Sequence, residues 1–140
     1  LDDDFETQMN KLVHDVGGIV NISVDDRQKV TKVGALAMQK VIEEETKKSH
    51  FNSGRDTSKF EHLADSVTSG RLAGTRIDGT SAVGFSTNDV NHARIARFLN
   101  DGTIKMPGDS FYDQAIETAK EPVFMAEAAA LAKIQEKKGL

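Results

Sequence analysis

Apolar residues recur at helical spacing in three stretches of the chain, and between the second and third the period changes. In residues 1–16, Leu1, Phe5, Met9, Leu12, Val13 and Val16 stand three and four apart, a single stripe on a short helix that Gly17-Gly18 is expected to end. Residues 24–49 make a longer amphipathic helix, about 37 Å at the usual rise. Val30, Val33, Ala37, Val41 and Glu45 lie near one meridian, Leu36, Met38 and Ile42 widen it, and Lys and Glu hold the other faces. Ser23 with Asp26 has the capping-box form, a hydroxyl acceptor for free amides and a carboxylate at the positive end of the helix.

Residues 50–61, "HFNSGRDTSKFE", are mostly small and polar without apolar period, which predicts an exposed, mobile loop. From 62 to 87, Leu63, Val67, Leu72, Ile77, Val83 and Phe85 are interleaved with Ser, Thr and Gly, and Asp78-Gly79 favours a tight hairpin turn. Antiparallel strands follow from this, in a small sheet of about 3–4 strands. A short helix over 89–100 is expected, with Asn88 or Asp89 as its cap, Ile95 and Phe98 turned inward, and Gly102 in a left-handed conformation at its end. Residues 101–109 then form a connector loop, and 110–138 a C-terminal helix opened by a Ser110–Asp113 capping box. Pro122 should kink or split that helix, whose Ala-rich second half has high helix propensity. The fold class expected is α+β: one domain, a small antiparallel sheet packed against the long helix of the N-terminal half and the C-terminal helix.

Composition narrows the chemistry. The 140 residues are 38% hydrophobic and 29% charged, sufficient for one globular core, and with no Trp that core should be aliphatic. Without cysteine the chain is not a disulfide scaffold, a thiol enzyme or a cysteine-ligated zinc protein. A net charge of -4 argues against general attraction to nucleic acid or to anionic membrane. No apolar run approaches the roughly 20 residues of a membrane span, and the acidic start is unlike a secretory signal, so a soluble product that stays where it is made is expected.

Candidate reactive groups do not assemble into a motif. His14, His50, His62 and His92 lack ligand spacing, and Asp2-Asp3-Asp4 would point three ways on a helix. Gly70, Gly74 and Gly79 lack the Lys-Ser/Thr of a phosphate loop, and Gly84-Phe85-Ser86 lacks the second glycine of a nucleophile elbow. The expectation is a protein without catalytic, cofactor-binding or metal-binding residues, and not an enzyme. Arg94 and Arg97 on the short helix could meet phosphate or a partner's carboxylates, and Phe111 and Tyr112 read as core anchor and rim.

The order of short motifs between residues 62 and 116 resembles the morphogenesis family of tailed bacteriophages that supplies tail-completion and other neck proteins. His62-Leu63-Ala64-Asp65-Ser66-Val67 is similar to its "hLrdSv" element, and Val83-Gly84-Phe85 to its "VGF". The stretch from Ala93 to Thr103 resembles "A-x-x-x-E-F-G-T", with Asn100-Asp101 where the pattern has Glu-Phe; Pro107 and Phe111 resemble its closing Pro-Phe, here separated. The resemblance implies a structural virion protein in tail completion or head-to-tail joining, made in the host cytoplasm. It would form a ring with itself, six-fold in the virion, around DNA that passes without sequence-specific binding. Its partners would be neighbouring neck and tail-tube or head-closure proteins, with no membrane involved. Alternatives are a tail terminator, a head-closure protein, or a protein-binding adaptor outside the virion. The candidate assembly interface is Arg94, Arg97, Asn100, Asp101, Gly102, Thr103, Lys105 and Phe111.

Overall fold

Two 27-residue helices run antiparallel along each other, with a small sheet and a short helix packed on them. The computed structural model describes residues 5–20, 22–51, 54, 61–71, 74, 76–87 and 91–139. Its elements are α1 (Phe5–Val20), α2 (Val24–His50), a 3-10 turn (Leu63–Ser66), β1 (Val67–Gly70), β2 (Ala82–Phe85), α3 (His92–Asp101) and α4 (Phe111–Lys137). The antiparallel register of α2 and α4 is marked at both ends by polar contacts, the Asp26–Lys138 ion pair at 3.0 Å and His50 Nε2 with Asp109 Oδ2 at 2.7 Å. Near the middle Glu127 folds its side chain over Gly34, in the space a β-carbon would occupy.

Both faces of α2 that meet protein are used. Gly34, Ala35, Ile42 and Thr46 are buried, whereas Val30, Val33, Ala37 and Val41 are half-buried. The fully covered line is thus rotated from the expected meridian, because α4 covers one side of α2 and the sheet the other. Ser23 caps α2 as expected, its hydroxyl accepting from the Asp26 amide at 3.1 Å. The core centres on Ile42, Val67 and Ala115 and, beside them, on Leu63, Ala96 and Phe111; Phe85 and Tyr112 touch both groups.

The α+β class holds, but the sheet has two antiparallel strands among the described residues, pairing Val67 with Phe85 and Gly70 with Ala82. Local side-chain chemistry takes described residues on either side of these strands out of the ladder. The Ser66 hydroxyl donates to the Leu63 carbonyl at 2.6 Å, winding 63–66 into a 3-10 turn. The Asp78 carboxylate accepts from both the amide and the hydroxyl of Thr80, which makes a turn held against α2 rather than a strand, with Ile77 exposed. Thr31 donates to the Gly79 carbonyl at 2.7 Å, and Gln28 to the Ser81 hydroxyl at 2.8 Å. Leu72 lies outside the described residues.

Two helix ends and one helix interior also differ. α1 continues through Gly17 and Gly18 to Val20, a cost of about 1 kcal/mol per glycine that does not forbid a helix. α3 starts at His92, with the Asn91 carboxamide accepting from the Arg94 amide at 2.9 Å; Asn88 and Asp89 lie outside the described residues. α4 passes Pro122 unbroken. Pro122 and Thr118, whose carbonyl loses its partner, are both exposed, so water can satisfy that carbonyl while contacts with α2 hold the helix on either side. The loop expected at 50–61 falls mostly on residues 52, 53 and 55–60, outside the described set; the rings of Phe51 and His62 at its ends lie 4.2 Å apart.

Candidate functional site

The corner where α3 hands over to α4 is built around the Asn100 side chain. Asn100 ends an amphipathic helix whose inner face is His92, Ala96 and Asn100, and it is 7% exposed. Its carboxamide oxygen accepts from the amides of Tyr112 (2.9 Å) and Asp113 (3.1 Å), two of the free donors at the start of α4. Its nitrogen donates to the carboxylates of Asp101 (2.8 Å) and Asp113 (3.0 Å). Two amide donors on one side and two carboxylates on the other leave only one orientation of the carboxamide that satisfies all four groups.

Asn100 therefore takes the role expected of Ser110. Ser110 itself has a left-handed backbone, φ 57°, and makes no side-chain cap. The Phe111 amide is taken by the Asp109 carboxylate at 3.0 Å, whose other oxygen lies 2.7 Å from His50 Nε2. Backbone bonds complete the joint, the Asp109 amide to the Leu99 carbonyl at 3.1 Å and the Ser110 amide to the Asn100 carbonyl at 3.0 Å.

Between these fixed ends the connector closes on itself. Gly102 has φ 88° as expected of a helix-ending glycine, and its amide reaches back to the Phe98 carbonyl at 2.8 Å. Gly102 then bridges Pro107, and Thr103 and Met106 exchange backbone hydrogen bonds at 2.7 and 3.3 Å, giving a hairpin with Ile104 and Lys105 at its tip. A β-carbon on Gly102 would stand 2.5 Å from the Gly108 nitrogen, and one on Gly108 would run into the Asn100 carbonyl, so both glycines are required by close backbone approach.

The expected interface residues divide accordingly. Phe111, 2% exposed, is a core residue, packed edge-on against His50 at 4.7 Å, Asn100 is buried in the joint, and Gly102 is half-buried there. Arg94, Arg97, Asp101, Thr103 and Lys105 are exposed around the corner. Arg94 lies over the Phe98 ring at 5.4 Å, and Arg97 Nε is 3.8 Å from Asp101 Oδ2 with its side chain 81% exposed. Ile95 and Phe98, expected to face inward, are 39% and 42% exposed, because Ala96 and Leu99 already fill the space against the core. Ile104 is fully exposed and Met106 is 41% exposed. No apolar period marks Ile104 in the sequence, and Asn100 carries no local signal because the amides it caps are 12 and 13 residues away.

Beside the hairpin lies a cleft of about 360 Å³ between β2, α3 and α4. Phe85, Ala93, Ala96 and Tyr112 supply apolar wall, and Arg97, Asp101 and Asp113 stand at the exposed mouth. Burial, and next to it the Asp113 charge, raise the Tyr112 phenol above its ordinary pKa, so it stays a neutral hydroxyl. The arrangement suits an apolar group followed by a cation. Among the described residues no group of three or more His, Cys, Asp or Glu converges on a metal position, and no helix is long and apolar enough to cross a membrane. No protein-family model, curated protein or solved structure matches the chain.

Proposed function

We propose that this chain is a structural virion protein of a long-tailed bacteriophage, a non-enzymatic subunit of the ring that completes the tail and joins it to the head around the DNA passage. The motif order from residue 62 to 116 supports the placement in the neck. The observation that carries an assembly role is the α3–α4 corner. Exposed apolar residues scattered singly need no explanation, but Ile95, Phe98, Ile104 and Met106 are all exposed along one short run, α3 and the hairpin that follows it, interleaved with Arg94, Arg97 and Lys105. A corner held by two glycines and the four bonds of Asn100 presents that surface already ordered, so little conformational entropy is lost when a partner covers it. A net charge of -4 suits a passage through which DNA slides without phosphate contacts.

Complementation of a phage lacking this gene tests the role. Lys105→Glu, at an exposed tip, is expected to leave folding intact while filled heads and free tails accumulate unjoined. Normal infectious particles from Lys105→Glu and from a folded variant with Ile104→Asp would remove the corner from assembly.

A further inference from the structure

We propose that the Ile104–Lys105 tip of one copy seats in the β2/α3/α4 cleft of a second copy, so that the partner met at this corner is the chain itself. The inference rests on the assembly role above and supplies its contact. Ile104 is 105% exposed, so the tip does not fill the cleft of its own chain. The cleft, at about 360 Å³, is near the lower limit for small-molecule sites and suits one aliphatic side chain with its neighbouring backbone.

Charge decides the occupant. Asp101 and Asp113 both accept from Asn100 Nδ2, which brings two carboxylate oxygens to within about 5 Å of each other, the span of two hydrogen bonds to one nitrogen. Among the described residues lining the cleft, the guanidinium is that of Arg97, a loose and exposed counter-ion. Two carboxylates against one guanidinium leave a net negative charge there, and Lys105 follows the apolar Ile104 with the opposite sign. Where the cleft of a copy takes one neighbour's tip and its own tip enters another's, the contact is heterologous, as ring closure requires; reciprocal exchange between two copies is the isologous form of the same contact.

The absence of cysteine from the chain makes the test direct. Ile104→Cys and Ala93→Cys variants, each with a tag of different size, are mixed at about 10⁻⁴ M, well above the micromolar Kd of a modest interface, and oxidised. The expected product is the mixed 104–93 disulfide. Adding Lys105→Glu to the Ile104→Cys variant should lower its yield about fivefold, as an ion pair becomes a like-charge contact, and Asp101→Lys on the Ala93→Cys variant should restore it. Products limited to 104–104 or 93–93 pairs, no product, or a yield indifferent to Lys105→Glu would each overturn the tip-in-cleft contact. The two proposals fail separately. The disulfide without the protein in virions would overturn the neck role alone, and the protein in virions without the disulfide would overturn this contact alone.

Discussion

Replacing Asn100 by Ala should cost more stability than its place at the end of a short helix suggests. The substitution removes the acceptor of two α4 amides and the donor to two carboxylates at a position 7% exposed. Loss of a capping acceptor costs about 0.5–2 kcal/mol, and a buried polar group left unpaired about 1–3 kcal/mol. The Asp101 and Asp113 carboxylates are exposed and can turn to water, so their loss adds little. Asn100→Ala is therefore expected to destabilise the fold by about 2–4 kcal/mol, which for 140 residues at roughly 2.1 cal/mol/K each lowers Tm by about 7–14 °C. Urea unfolding followed by circular dichroism gives the difference directly, with the denaturant slope unchanged. Asn100→Asp separates capping from charge: it keeps an acceptor but places a third carboxylate beside Asp101 and Asp113. Its deficit should be largest at neutral pH and shrink as pH falls towards about 4 and the new carboxyl gains a proton to donate. An Asn100→Ala variant within about 0.5 kcal/mol of the parent, the range of an ordinary surface substitution, would refute the account of the corner.

Other consequences are equally open to measurement. Gly102→Val, at a position with φ 88° where a β-carbon meets backbone at 2.5 Å, should cost about 2 kcal/mol or more in the same urea experiment, whereas Lys105→Glu should fall within about 0.5 kcal/mol of the parent. Pro122→Ala should stabilise the protein by about 1–3 kcal/mol, since an exposed interior proline is replaced by the best helix former without loss of a contact. The Asp26 carboxyl, held below its ordinary pKa chiefly by the hydrogen bond from Lys138, should titrate higher in Lys138→Gln by carboxyl NMR. Because that pKa is depressed in the folded state, the stabilisation it gives is present above the ordinary carboxylate pKa and is lost as pH falls through the folded value.

The parts of the fold that depend on repeating patterns are legible in the sequence, and those that depend on one side chain meeting a distant group are not. The apolar period of α2, its Ser23 cap and the Ala-rich helix propensity of α4 are local signals, and both helices lie within a residue or two of the expected bounds. Gly102 is legible for the same reason, as a glycine after a periodic segment. Apolar alternation overstates the sheet because Ser66 and Asp78 satisfy backbone groups with their own side chains, which alternation does not reveal. The Ser110 capping box has the right spacing, yet Asn100 arrives from the preceding helix and takes the same amides. The exposure of Ile95 and Phe98 depends on which face of α3 the small Ala96 lets approach the core, a matter of packing and not of period.

The claim that this is a neck subunit meets its most direct test in the particles themselves. Purified virions of a phage that encodes the chain would be analysed by quantitative mass spectrometry and by immunogold labelling against an epitope in it. The account predicts the protein in intact particles at a ring's complement of copies, with label at the head–tail junction. Intact, infectious particles that lack the protein, or label confined to the host cell, would contradict it.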